Sequence, residues 1–89
     1  MIKIDENTSI VDVRMPVEFM SGHVEGSKNI PLQVIANHLD ELRALPQPLV
    51  LCCASGNRSG QAAAFLKSQG IECENGGSWF DVQFAKFQS

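Results

Sequence analysis

Apolar positions along this chain come in short blocks whose period changes. SIVDV (9–13) is a brief apolar run with a carboxylate near its C-terminal end and predicts a strand. MPVEFMSG (15–22) opens near a proline, which a helix tolerates in its first turn, and stops at a glycine; it predicts a short helix. SKNIPL (27–32) predicts another short strand, ended by Pro31. QVIANHLDELRAL (33–45) sets Val34, Ile35, His38, Leu39, Leu42 and Leu45 at helical spacing before the breaker PQP. PLVLCC (48–53) is a near-continuous apolar run, the mark of a strand buried on both faces. SGQAAAFLKSQG (59–70) predicts an alanine-rich helix with Gly70 at its C-terminal cap. IECE (71–74) alternates and predicts a half-buried strand, NGG a turn, and SWFDVQFAKFQ a terminal helix that turns Trp79, Val82, and Phe84 or Phe87 inward.

Strands that alternate with helices imply an α/β fold with a mostly parallel central sheet flanked by helices. In that architecture ligands sit beyond the carboxyl ends of the strands, where ASGNR (54–58) lies.

Composition narrows the function. The 89 residues fit one small domain, 1–89, either whole or cut from a longer protein. A net charge of −3 argues against nucleic-acid binding as the main task. No apolar run approaches the ~20 residues that span a bilayer. The start, MIKIDENTS, lacks the basic-then-apolar layout of a secretory signal, so a cytoplasmic location is expected. The three cysteines include no C-x-x-C pair, and the histidines are His23 and His38 alone. A disulfide framework or a four-ligand zinc site is therefore not expected; a functional thiol in a reducing compartment is.

Three features converge on residues 53–59. Cys53 ends a strand, Gly56 permits a tight turn, and a helix starts near Arg58 or Ser59. A helix N-terminus presents unpaired N–H groups and partial positive charge, which favour a thiolate over a thiol. Arg58 adds a planar fork of donors suited to oxyanions. Those residues predict an anion cradle around an activated cysteine; the alternative is an inert buried cysteine before an ordinary turn.

CASGNRSG (53–60) resembles the active-site loop of the rhodanese family: a cysteine, small or polar residues including a glycine, then arginine and serine. IVDVRMPVEFMSGHVEGSKNIPL (10–32) resembles the family's other signature, with Asp-Val-Arg, a Glu-Phe helix, Gly-His-hydrophobic and Asn-Ile-Pro. The glycine pair 76–77 resembles its C-terminal one, and the likeness runs over roughly residues 9–82. Ser27 stands where the family usually has alanine, and Trp79 is not where many members place their tryptophan.

The resemblance implies a three-layer rhodanese-like fold and sulfur transfer through a persulfide on Cys53. It implies donor binding by Ala54, Ser55, Gly56, Asn57, Arg58 and Ser59, with no metal or organic cofactor. The implied donors are thiosulfate or small persulfides. The implied acceptors are cyanide, a thiol or a sulfur-carrier protein. Oligomeric state is not implied.

The family also includes phosphatases with five residues between cysteine and arginine, the spacing obtained by counting from Cys52. A phosphatase or arsenate-type reductase is thus one alternative, and a non-catalytic sulfur-carrier or docking module another. Two features favour Cys53: the glycine falls three residues after it, and Leu51 rather than histidine precedes Cys52. Neighbouring strand residues face opposite sides, so the two thiols do not share a pocket. Asp12, Arg14 and His23 are expected to tie the fold together, with Glu18 as partner of Arg14. Cys73 is expected to face the core beside Ile71; the alternative is a resolving thiol for the persulfide.

Overall fold

The computed structural model describes residues 3–88, so Met1, Ile2 and Ser89 of the expected domain lie outside the described range. Four strands form one parallel sheet in the order β2-β1-β3-β4: β1 Ile10–Asp12, β2 Lys28–Asn29, β3 Leu49–Cys53 and β4 Cys73–Ser78. The helices are α1 Pro16–Met20, α2 Leu39–Arg43, α3 Asn57–Ser68 and α4 Trp79–Gln88. A 3-10 segment, Leu32–His38, leads into α2.

The central strand β3 is buried along its whole length, and its side chains alternate between two cores. Leu49, Leu51 and Cys53 join Ile35, Leu42, Ala62, Ala63 and Leu66 on one face. Val50 and Cys52 join Ile4, Ile10, Val24 and Val82 on the other. The result is three layers, with α3 and the 3-10/α2 segment on one side of the sheet and α4 on the other. Ala62 and Ala63 are small, which lets α3 lie close to the sheet while Leu66 fills the space between.

The structure departs from the periodicity in three places. Residues 32–38 wind as a 3-10 helix, not an α-helix, so Leu32 and Ile35 share the inner face at three residues per turn, Val34 turns outward, and His38 is partly exposed beside Glu41. NGG is not a turn but the middle of β4. The pairing with β3 runs Leu51–Asn75 and then Cys53–Ser78, so β4 carries one extra residue there, a bulge at the glycine pair. In α4, Val82 is buried and Trp79 and Ala85 pack beside it, but Phe84 and Phe87 are exposed, because at about 100° per residue they lie on the other side of the helix from Val82. Gly70 follows α3 at φ +79°, the left-handed position expected after a helix end.

Candidate active site

The site forms where β3 ends and α3 begins. Gly56 turns the chain at φ +95°, ψ −7° and occupies the N-cap position of α3, where it offers no side-chain acceptor. The sulfur of Cys53 supplies one instead. Its Sγ accepts the Gly56 N–H at 3.0 Å and the Ser59 N–H at 3.4 Å, as an aspartate or serine cap would accept the N–H of the third helical residue. Gly56 has a second reason to be glycine: a Cβ there would stand 3.2 Å from Gly77 Cα.

Burial pushes the Cys53 thiol up. The Ser59 hydroxyl and the N–H groups of Ser59, Ser55 and Gly56 pull it down, and the net direction is below the ordinary thiol value. Cys52, one residue earlier, goes the other way. Burial and then the Asp12 carboxylate push it up to about 12, so it stays protonated at neutral pH. It also lies in the opposite core, with Val50 and Val82. The seven-residue count therefore starts from a thiol on the wrong face of the sheet.

A side chain absent from the sequence reading completes the loop. Asn75 Oδ1 accepts the Ser59 hydroxyl at 2.7 Å and the Gly77 N–H at 3.0 Å, while its Nδ2 donates to Gly56 O at 2.9 Å. The bulge in β4 sets this position beside the loop. The Ser59 hydroxyl also lies 3.4 Å from Sγ, so its single proton has two acceptors, the amide and the sulfur.

Arg58 sits at the rim, and its fork is engaged. Nη1 and Nη2 donate to Glu18 Oε1 and Oε2 at 2.7 and 2.9 Å. The expected Glu18–Arg14 carboxylate pair does not form. Arg14 is taken by Asp12, with its Nη2 at 2.7 Å from Oδ2, and it reaches only the main-chain oxygen of Glu18. Arg14 also donates to Gly22 O and lies 5.1 Å from the centre of the Trp79 ring. Asn29 Nδ2 donates to the carbonyls of Asp12 and Arg14. Asp12 and Arg14 are thus structural, as expected. His23 stacks on Phe19 and hydrogen-bonds Phe19 O through Nδ1, which fixes the turn after α1.

Ala54, Ser55 and Asn57 are exposed on the loop, and Gly56, Arg58 and Ser59 lie at or beneath it, so all the sequence-predicted site residues come together at the strand end. Cys73 is buried beside Ile71, and burial pushes its thiol up. It pairs with Leu49 at the far end of β3, about 13 Å along the strand from Cys53 at ~3.3 Å per residue. A direct disulfide needs Cα atoms within ~7 Å, so Cys73 cannot resolve a persulfide there without rearrangement. No helix among the described residues is long and apolar enough to cross a membrane.

Fold and site together define a parallel α/β protein in which a cysteine at the end of the central strand caps the helix that follows it. The Rhodanese-like domain profile matches residues 2–83, and the chain belongs to that family. It is 41% identical over 61 residues to the uncharacterized protein YqhL of Bacillus subtilis, a match covering 68% of this chain and 48% of YqhL. It is 36% identical over 67 residues to the thiosulfate sulfurtransferase GlpE of Pseudomonas aeruginosa, covering 75% of this chain and 60% of GlpE. The chain thus spans about half to three fifths of these relatives. Among solved structures it resembles a rhodanese-like domain protein from Staphylococcus aureus, with TM-score 0.77, 28% identity and coverage of 85% of this chain and 74% of that one. It also resembles a rhodanese with anions from E. coli, with TM-score 0.68, 32% identity and coverage of 83% and 89%.

Proposed function

We propose that the chain is a sulfurtransferase that carries sulfane sulfur on Cys53. The observation that carries this reading is the sulfur's position as the cap of α3, held by the Gly56 and Ser59 N–H groups. That position favours thiolate, the nucleophilic form. The thiolate attacks the outer sulfur of thiosulfate or of a small persulfide. One S–S bond forms and one breaks, and the electron pair leaves with sulfite or with the thiolate of the donor. The acceptor, cyanide or a thiol, then takes the outer sulfur and regenerates Cys53. The two half-reactions balance without an added oxidant or reductant, so the reading calls for no cofactor. Residues 54–59 line the path of the donor, with their N–H groups on its negative charge and Arg58 at the rim. A sulfur-carrier protein is a further acceptor that the reading admits.

The test is intact mass after incubation with thiosulfate. One added sulfur, removed by cyanide and mapped to the peptide containing Cys53, is the expected result. Cys53→Ser should take up none while keeping its circular dichroism spectrum. Cys52→Ala should still load. Sulfur found on Cys52, or transfer retained in Cys53→Ser, overturns the assignment.

A further inference from the structure

The Arg58 fork is the natural oxyanion ligand at this loop, yet its two-nitrogen edge is turned to Glu18, to which each terminal nitrogen donates one N–H. Glu18 is no loose surface acid. It occupies the first turn of α1, and its Oε1 also accepts the Met15 N–H at 2.9 Å. Its carboxylate is therefore aimed before Arg58 arrives. The pair is about one-third exposed on each side, so a solute can reach it, but the two-point geometry is stronger than a single exposed contact. Arg14 offers no replacement cation, because Asp12, Gly22 O and Glu18 O take its donors. A donor entering the loop thus meets N–H dipoles and a neutralised ion pair rather than a free cation.

We propose that Glu18 sets the donor preference of the Cys53 loop: by holding the Arg58 fork it disfavours thiosulfate relative to organic persulfides. The inference rests on the sulfurtransferase reading above. Thiosulfate brings a dianion and releases sulfite, and both states gain from a free guanidinium. An organic persulfide transfers the same sulfur but releases a thiolate with no oxyanion for the fork to grip. Tying up Arg58 therefore penalises the first donor more than the second. Glu18 acts here through Arg58 and touches no reacting atom, so it is a positioning residue. The pairing also holds Glu18 ionised down to about pH 2, so the preference persists across the neutral range.

The experiment compares kcat/KM for thiosulfate and for glutathione persulfide in the wild-type chain, Glu18→Gln, Glu18→Ala, Arg58→Ala and the Glu18→Gln/Arg58→Ala double variant. Glutamine keeps the length and the acceptor for Met15 N–H but loses the charge. The expected result is a rise of about 3–10-fold in the thiosulfate-to-persulfide ratio for Glu18→Gln, carried by a lower KM for thiosulfate. Glu18→Ala should move the same way, which keeps the test open if one variant folds poorly. The rise should vanish when Arg58 is already alanine. An unchanged or lowered ratio in both Glu18 variants overturns the proposal, and so does a rise that survives without Arg58, since charge removal alone would then explain it. Intact mass separates this failure from failure of the underlying reading. If no protein takes sulfur on Cys53 from either donor, the sulfurtransferase reading falls and the Glu18 proposal with it.

Discussion

Gly76→Ala tests whether the bulge in β4 is built around a missing side chain. A Cβ at Gly76 would stand 2.6 Å from Val82 Cγ2, 2.9 Å from Val50 Cγ1 and 3.0 Å from Leu51 O. The two valines are 1% and 2% exposed, so neither can swing into solvent, and the third contact is backbone. Overpacking of this kind costs about 1–3 kcal/mol, and three fixed neighbours place this site near the top of that range. Alanine also restricts the unfolded chain, which returns about 0.4–1 kcal/mol. The net loss is about 2 kcal/mol, or a fall in Tm of about 8–16 °C for a domain of this size. Gly70→Ala is the control. A Cβ there meets nothing within 4 Å, but φ is +79°, so the cost is backbone strain alone, about 1–2 kcal/mol before the same return. Thermal unfolding followed by circular dichroism at fixed protein concentration measures both. A Gly76→Ala Tm within about 3 °C of wild type, or a smaller fall than that of Gly70→Ala, would refute the crowding argument.

Sulfur transfer should rise with pH through the Cys53 ionisation, and that ionisation should lie below the value for a free cysteine; thiolate absorbance in a variant lacking Cys52 and Cys73 checks it. Because the folded value is depressed, Cys53 adds stability above its unfolded pKa and loses it as pH falls through the folded one, so Cys53→Ser should flatten the stability profile in that window. Glu18 follows the same sign at acid pH. Its stabilisation is present above 4.5 and lost toward about 2, and Glu18→Gln should remove that slope, a difference of about 0.2–1 kcal/mol for so exposed a pair, read from urea midpoints at pH 6 and pH 2. Cys52→Ala should keep transfer within a few-fold and cost about 1 kcal/mol of stability, read from denaturant unfolding.

The sheet was legible because its signal is local. A strand buried on both faces reads as LVLCC whatever surrounds it, and alternation along that strand separates Cys52 from Cys53 without any knowledge of the helices. The loop was legible for the same reason, since thiol, glycine and helix start fall within seven residues. The long-range partners were not. Glu18 and Arg58 lie 40 residues apart, and nothing in the spacing of α1 says that its carboxylate will pass Arg14 and reach α3. Asn75 was hidden because NGG reads as a turn; only pairing with β3 shows that the glycines make a bulge and that Asn75 faces the loop. Phe84 and Phe87 misled because apolar character predicts burial only where a neighbouring element exists to cover it.

One residue of register separates two thiols whose pKa values are pushed in opposite directions here, and the reason is helix geometry rather than intrinsic chemistry. Cys52 and Cys53 share a strand, and both are fully buried. Burial alone would raise both thiols. Cys53 escapes because the N-cap of α3 falls three residues later at a glycine, leaving the first N–H groups of the helix without an acceptor from the cap side chain. The sulfur accepts from two of them, so the contacts that cap the helix are also contacts that lower the thiol's pKa. Asn75 enters the same balance. By accepting the Ser59 hydroxyl at 2.7 Å it competes with the sulfur for that proton, while its bond to Gly56 O keeps the turn closed. The loop thus combines the Ser59 hydroxyl with the main-chain N–H groups of Ser59, Ser55 and Gly56 around Cys53. If Cys53 carries sulfur as proposed, main-chain donors suit a bound group that alternates between a thiolate and a longer persulfide, because they surround the anion without fixing its length.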